Sequence, residues 1–183
     1  ILPHFHIPLQ SGSNKILGLM RRRYTRDVFA DRVNKIKNKI PLAGIGADVI
    51  IGFPGENISD FEDTYTFLSE LPLSYFHVFT FSERPDTIAE KLPGKVDYVE
   101  KEMRRKRLVD LSESKNQEFM NLNTGKSSEV LFEKTRSEGL ITGFTSNYIK
   151  VEHPWQPLLA SKIKKVKLKS ISPTGKMCVE LID

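Results

Sequence analysis

The sequence predicts a mixed α/β architecture: a partial, truncated parallel βα barrel over residues 1–120, then a small all-β barrel over residues 121–183. Three observations carry the prediction. Strand-like apolar runs alternate with amphipathic stretches through the first part of the chain, the pattern of βα units. Residues 46–56 lead from a β-branched segment (Val49, Ile50, Ile51) through the turn Gly52-Phe53-Pro54-Gly55 towards a helix start. Beyond Gly125 short β-rich runs are divided by Gly, Pro, Ser and Asn, as in a compact barrel.

In chain order, residues 5–9 read as a strand ending at Gln10-Ser11-Gly12-Ser13. Ser13 is placed to cap a short helix with Ile16, Leu17 and Met20 on one side. A longer helix starts near Arg26 with Thr25 as cap, carries Phe29, Val33, Ile36 and Ile40 on one face, and stops at Pro41. The strand through residues 49–51 is apolar enough to be buried on both faces, so Asp48 within it needs a partner. Ser59 and Glu62 have capping-box spacing for the next helix, whose face is Phe61, Tyr65, Leu68 and Leu71 before Pro72. Residues 76–81 form the third strand. A polar helix follows over about residues 97–120, with Asp97 and Glu100 as its capping box and an arginine-rich centre, residues 104–107, facing solvent. In the tail, residues 129–132, 148–151, 163–168 and 177–181 are the expected strands. Three α/β strands cannot close a barrel, and the chain opens at Ile1 inside an apolar segment, so it is expected to be a piece of a longer protein with an unpaired sheet edge.

Composition narrows the function. Apolar residues make up 39% and charged residues 28% of the 183, suiting a soluble fold without a membrane-spanning helix. A lone Cys178 excludes a disulfide framework and any cysteine-ligated cluster held by this chain alone, and fits a reducing, cytoplasmic setting. Net charge is +5, of which residues 121–183 hold +4, which makes the tail the better candidate for a polyanion. Its best stretch is residues 162–169, where alternation puts Lys165, Lys167 and Lys169 on one face and Val166 and Leu168 on the other. Such a row can track phosphates or protect an edge strand. Tyr148 and Trp155 are candidate stacking platforms, with Trp155 equally suited to plugging the barrel. His4, His6, His77 and His153 form no metal constellation by spacing; His4 and His6 share a strand face and read as packing. Met20 and Met103 read as core.

Three segments together resemble the radical S-adenosylmethionine (SAM) methylthiotransferases that modify transfer RNA. They are His6-Ile-Pro-Leu-Gln-Ser-Gly-Ser13 with Met20-Arg-Arg-Arg-Tyr-Thr25, then Asp48-Val-Ile-Ile-Gly-Phe-Pro-Gly-Glu56, then Phe79-Thr-Phe-Ser-Glu-Arg-Pro-Asp-Thr-Ile-Ala89. The tail, with Gly143-Phe-Thr-Ser-Asn-Tyr148, looks like the OB-like TRAM barrel that ends these enzymes. His4-Phe-His6 and His77-Val-Phe79 look most like the branch acting on threonylcarbamoyladenosine at position 37, with the isopentenyladenosine branch as rival. The sequence departs from the family at Asn57, where Thr is expected, at Asp86, where Gly is, and at Ile88, where Pro is.

The resemblance implies an enzyme, a transferase, whose parent carries two [4Fe-4S] clusters on cysteines upstream, in N-terminal domains of the same polypeptide. SAM cleaved at one cluster would yield a radical that abstracts hydrogen from C2 of the adenine ring, after which sulfur and methyl are added. No cluster is ligated by this chain, no catalytic residue is assigned to it, and the chain alone is expected to be inactive. Its expected part is the wall of the SAM site. Gln10 and Asp48 would meet ribose hydroxyls, against a turn cap for Gln10 and an arginine pair for Asp48. Arg22 would hold the methionine carboxylate through a bidentate fork. Gly52 and Phe53 would approach the adenine, and Phe81 and Ser82 would bond it through backbone. Tyr148, Lys165, Lys167 and Lys169 would meet tRNA. The other class of function open to the sequence is a non-catalytic RNA-binding module with a degenerate α/β domain.

Overall fold

The computed structural model describes residues 2–137 and 139–182, leaving aside the side chains of residues 135–137; Ile1, the origin of the truncation argument, lies outside them. The chain separates into two compact units. One comprises His6–Pro41 and Ile45–Lys115. The other gathers Leu42–Gly44 and the chain from Asn116 onward, with the first residues of the chain.

The first unit is built on a parallel sheet of order β1 (His4–Gln10), β2 (Gly44–Ile51), β3 (Tyr75–Thr80). Crossover helices α1 (Asn14–Leu19), α2 (Arg26–Lys39) and α3 (Ile58–Glu70) connect the strands, and α4 (Tyr98–Asn123) follows. Period-two alternation decides the two faces. Leu9, Ile45, Ala47, Val49, Ile51 and Phe76 are buried against Phe29 and Val33 of α2, Phe61 and Leu68 of α3, and Leu108 of α4. The opposite face carries His6, Asp48, Tyr75, His77 and Phe79, and is not apolar.

The helix starts follow capping chemistry. Ser13 caps α1, its side chain accepting from the Ile16 N–H. Thr25 makes no side-chain cap bond on α2; the Arg26 N–H is taken instead by Asn14 Oδ1 at 2.9 Å. The expected Ser59–Glu62 box does not form. The box is two residues earlier, Asn57 with Asp60, and each satisfies the other's backbone N–H. Either spacing satisfies the sequence rule, but Glu62 is drawn away to Arg107 at 2.9 Å, and Asn serves as cap as well as the expected Thr. On α4 only half of the box exists: Asp97 Oδ1 accepts from the Glu100 N–H, while the Glu100 carboxylate bonds Arg104.

The second unit contains a closed five-stranded barrel of order β4 (Ser127–Ser137), β5 (Leu140–Thr145), β6 (Lys150–Pro154), β8 (Met177–Leu181), β7 (Ile163–Ile171). Its core holds Val130, Phe132, Ile141, Val151, Val166, Leu168 and Met177, with Trp155 packed against it as a plug. Sequence reading missed β5, because Gly143 interrupts its pattern. That glycine is a tight fit: a Cβ there would stand 2.6 Å from the Leu131 carbonyl oxygen on β4.

Candidate functional site

The ends of β1, β2 and β3 are where the distinctive segments meet. Gln10 closes β1 with a left-handed φ of 74° and is 8% exposed. Its Oε1 accepts from the Arg22 guanidinium at 2.9 Å, so the residue expected at the cofactor's ribose and the one expected at its methionine carboxylate form one polar unit. Tyr24 supports them, its hydroxyl donating to the Pro8 and Leu9 carbonyls. Burial pushes the Tyr24 hydroxyl pKa up, and nearby Arg22 only partly opposes this.

Ser11, Gly12 and Ser13, which follow Gln10, are occupied in holding the strand end to α3. Thr64 Oγ1 accepts from the Gly12 N–H at 3.1 Å and lies 3.3 Å from the Ser11 hydroxyl. Gly12 is obligatory, since a Cβ there would stand 2.7 Å from the Thr64 Cα. The Ser13 hydroxyl donates to Asp60 Oδ1 at 3.0 Å, and Lys15 Nζ pairs with Oδ2 at 2.6 Å. Burial pushes the Asp60 pKa up, but hydrogen bonds from Lys15, Asn57 and Ser13 outweigh it and hold the carboxyl below its usual range.

Asp48 finds its partner in a histidine, not an arginine. His6 Nε2 lies 3.0 Å from Asp48 Oδ1, with both side chains about a third exposed at 35% and 27%. His6 Nδ1 lies 3.5 Å from the Tyr75 hydroxyl. Asp48 and Gln10 each have a separate partner, His6 for the first and Arg22 for the second.

At the end of β2 the glycine turn is fixed from beneath. Gly52 has φ 71°, and its N–H donates to Glu56 Oε2 at 2.6 Å, so this N–H is already spent. Glu56 is paired with Arg104 at 2.8 Å with side chains 0% and 4% exposed, which corrects the expectation that residues 104–107 all face solvent. Burial pushes the Glu56 pKa up against the opposing pull of the Gly52 N–H and Arg104, and Glu56 Oε1 has no hydrogen-bond partner among the described residues. The Lys101 stem covers Gly52 so closely that a Cβ would stand 2.5 Å from its Cγ. Phe53 is 6% exposed and packs edge-on against Phe81 at 4.9 Å. The Phe81 N–H continues the ladder to the Ile51 carbonyl at 2.8 Å, and its own carbonyl accepts from Lys101 Nζ. Phe81 and Ser82 line a hollow of about 330 Å³ with Ile50, Phe79, Arg84 and Thr87.

The structure thus joins Gln10 to Arg22 and Phe53 to Phe81, and Phe81 and Ser82 share a hollow. Asp48 lies further down β2 beside His6. Lys101 and the Glu56–Arg104 pair went unnoticed in the sequence; Glu56 sits inside a motif, but nothing local pointed to a partner 48 residues away.

In the barrel unit, Val166 and Leu168 are buried while Lys165, Lys167 and Lys169 are exposed, as the alternation required. Strand β7 is paired with β4 on one side and β8 on the other. It is not an edge, so edge protection does not explain its lysines. Glu180 pairs with Lys169 at 2.8 Å. The Tyr148 ring stacks on His4 at 4.2 Å and on Phe144 at 4.8 Å. The ring is therefore already engaged with two neighbours.

Comparison with known proteins agrees with this picture. Residues 1–68 match the Radical SAM superfamily. The chain is 40% identical over 172 residues to threonylcarbamoyladenosine tRNA methylthiotransferase of Bacillus subtilis, covering 92% of the chain and 38% of that protein. It is 45% identical over 153 residues to the enzyme of the same name from Aquifex aeolicus, covering 83% and 36%. Identity to tRNA-2-methylthio-N(6)-dimethylallyladenosine synthase of Pelotomaculum thermopropionicum is 35% over 168 residues, covering 91% and 38%. The chain spans little more than a third of the length of these relatives, the first two of which are named as transferases.

Proposed function

We propose that this chain is the C-terminal part of a radical SAM tRNA methylthiotransferase, and that its first unit is one wall of the SAM site. The observation that carries the reading is spatial. Three segments far apart in sequence end side by side at the carboxyl edge of one parallel sheet, where open α/β sheets bind ligands. The relatives named for threonylcarbamoyladenosine are 40% and 45% identical, against 33–39% for those named for the dimethylallyl nucleoside, which favours threonylcarbamoyladenosine as substrate.

The residues present fit SAM in kind. Gln10 and Arg22 offer a polar pair where β1 ends, and Arg22 keeps donors for a carboxylate beyond the one spent on Gln10. Asp48 keeps a second carboxylate oxygen beside its His6 contact. Gly52 and Phe53 shape the turn; with the Gly52 N–H engaged, their part is close approach and packing, not donation. Phe81 and Ser82 bring backbone to the hollow with Phe79. Bound SAM supplies the hydrogen-abstracting power and the methyl group; these side chains hold and orient it. An iron-sulfur cluster does not fit this chain, whose one cysteine is Cys178 in β8. The two [4Fe-4S] clusters belong in this reading to the remaining length of the polypeptide, without which the chain is inactive.

The barrel is proposed as a TRAM-type RNA-binding domain. Lys165, Lys167 and Lys169 present a charged row on a strand with no edge to protect, and Tyr148 lies on the same unit.

The test is the full-length enzyme. With its clusters loaded it converts threonylcarbamoyladenosine in tRNA to the 2-methylthio derivative, read by mass spectrometry of nucleosides; absence of any methylthiolated adenosine overturns the assignment. Asp48→Ala weakens SAM binding by about tenfold, the worth of one charge-assisted hydrogen bond. Titration calorimetry giving unchanged affinity removes Asp48 from the wall.

A further inference from the structure

Parallel sheets are ordinarily apolar on both faces, because helices or barrel interior cover each. The face of β1–β3 away from the helices breaks that rule with a continuous group of rings. Tyr75, His77 and Phe79 follow one another along β3, with centroid separations of 5.3 Å and 6.4 Å and interplanar angles of 62° and 61°. His6 on β1 lies 5.6 Å from the His77 ring at an interplanar angle of 28°. Phe79 is 52% exposed and continues into the hollow with Ile50, Phe81 and Arg84. His77 on this face is exposed and Tyr75 half-buried, so the group is open to whatever binds there.

The hydrogen bonds within this group are unequal. Strand register sets His77 directly beside Asp48. The Asp48 carboxylate nevertheless goes to His6, whose second ring nitrogen faces the Tyr75 hydroxyl. The ring contacts of His77 hold its plane, while its nitrogens bond to no group among the described residues. It is an oriented imidazole N–H donor, exposed on the face of the proposed site.

From this geometry we propose that His77 selects substrate, by donating to the carboxylate on the N6 side chain of the target adenosine. The proposal rests on the methylthiotransferase reading and deepens it. The two nucleosides named for the relatives differ in the chemistry that an imidazole reads. A threonylcarbamoyl group ends in a carboxylate and a hydroxyl; a dimethylallyl group is a hydrocarbon with no acceptor. Beside the first, the His77 N–H is satisfied. Beside the second, it is desolvated without a partner, which is how a polar pocket rejects an apolar analogue. Phe79 next to it supplies a flat apolar surface for the body of either nucleoside.

The experiment uses full-length enzyme with two substitutions and three tRNA substrates. His77→Phe keeps the ring packing against Tyr75 and Phe79 and deletes the donor; His77→Gln keeps a donor. The tRNAs carry threonylcarbamoyladenosine, its carboxyl methyl ester, or dimethylallyladenosine. For the first tRNA, His77→Phe raises KM on the order of 10- to 100-fold with kcat little changed, and His77→Gln recovers most of the loss. For wild-type enzyme the methyl ester carries a similar penalty, which His77→Phe no longer senses. Equal KM for wild type and His77→Phe overturns the proposal and leaves the proposed function standing. A wild-type enzyme that prefers dimethylallyladenosine overturns the proposal as well, and with it the choice of nucleoside, while the methylthiotransferase reading stands. Wild-type enzyme that methylthiolates none of the three removes both.

Discussion

Glu56 shows what one side chain can decide. It is withdrawn from water, its Oε2 is shared between the Gly52 N–H and Arg104, and its other oxygen has no partner among the described residues. A buried carboxylate of this kind is tolerable only while its guanidinium is present. Arg104→Ala strands the charge and costs about 3–5 kcal/mol, whereas replacing both residues by apolar ones of similar volume costs far less. Urea denaturation of the two variants checks this, and equal losses would mean that the pair contributes little beyond packing. The same residue marks a limit of sequence reading. No role could be read for Glu56 from its neighbours in sequence, and the structure uses its carboxylate to hold the N–H of Gly52, which is in the left-handed conformation. Asp86 is the converse case. Glycine was expected there from the resemblance, and the structure gives Asp86 a φ of 63°, so the backbone demand survives with Asp, which tolerates that region better than most residues.

Among the elements, those written in short-range chemistry were legible. The apolar faces of α2 and α3, the caps at Ser13 and Asp97 and the alternation of β7 all appear within a few residues of sequence. The start of α3 was placed two residues late, since Asn57–Asp60 and Ser59–Glu62 obey the same rule and only distant Arg107 separates them. Strand β5 was lost because Gly143 is chosen by the approach of β4, a contact no local window contains. The clamp between the β1–α1 loop and α3 is likewise long-range, and it titrates. The Asp60 pKa is depressed in the fold, so its contribution is fully present above the unfolded carboxyl value of about 3.9 and is lost as pH falls through the lower folded value. Asp60→Asn is therefore destabilised by about 1–2 kcal/mol near neutrality, and the gap from wild type closes below about pH 4. Thermal unfolding of both proteins from pH 7 to pH 2.5 checks the sign; a gap that widens in acid would contradict it.

At the scale of the whole molecule, excess charge and fold meet in the barrel. The strand order β4-β5-β6-β8-β7 closes on itself, so every strand has two neighbours and no lysine is needed to blunt an edge. Charge on the outer face of β7 is then free to serve solubility or a polyanion, and these two roles separate by salt dependence. Cross-strand acids temper the row without cancelling it: Glu129 is level with Lys165, and Glu180 is level with Lys167 while bonded to Lys169. A phosphate chain has to compete with Glu180 for Lys169, so fewer than three counterions' worth of effect is expected. Each phosphate met on single-stranded or duplex nucleic acid contributes about 0.7–0.9 to the slope of log K against log salt. Replacing Lys165, Lys167 and Lys169 by Gln should flatten that slope by about 2 in full-length enzyme binding tRNA, with folding intact because all three side chains are exposed. Filter binding between about 50 and 200 mM salt reads the slope directly. A triple variant with undiminished slope would place the RNA contacts elsewhere on the protein and return the β7 lysines to solubility alone.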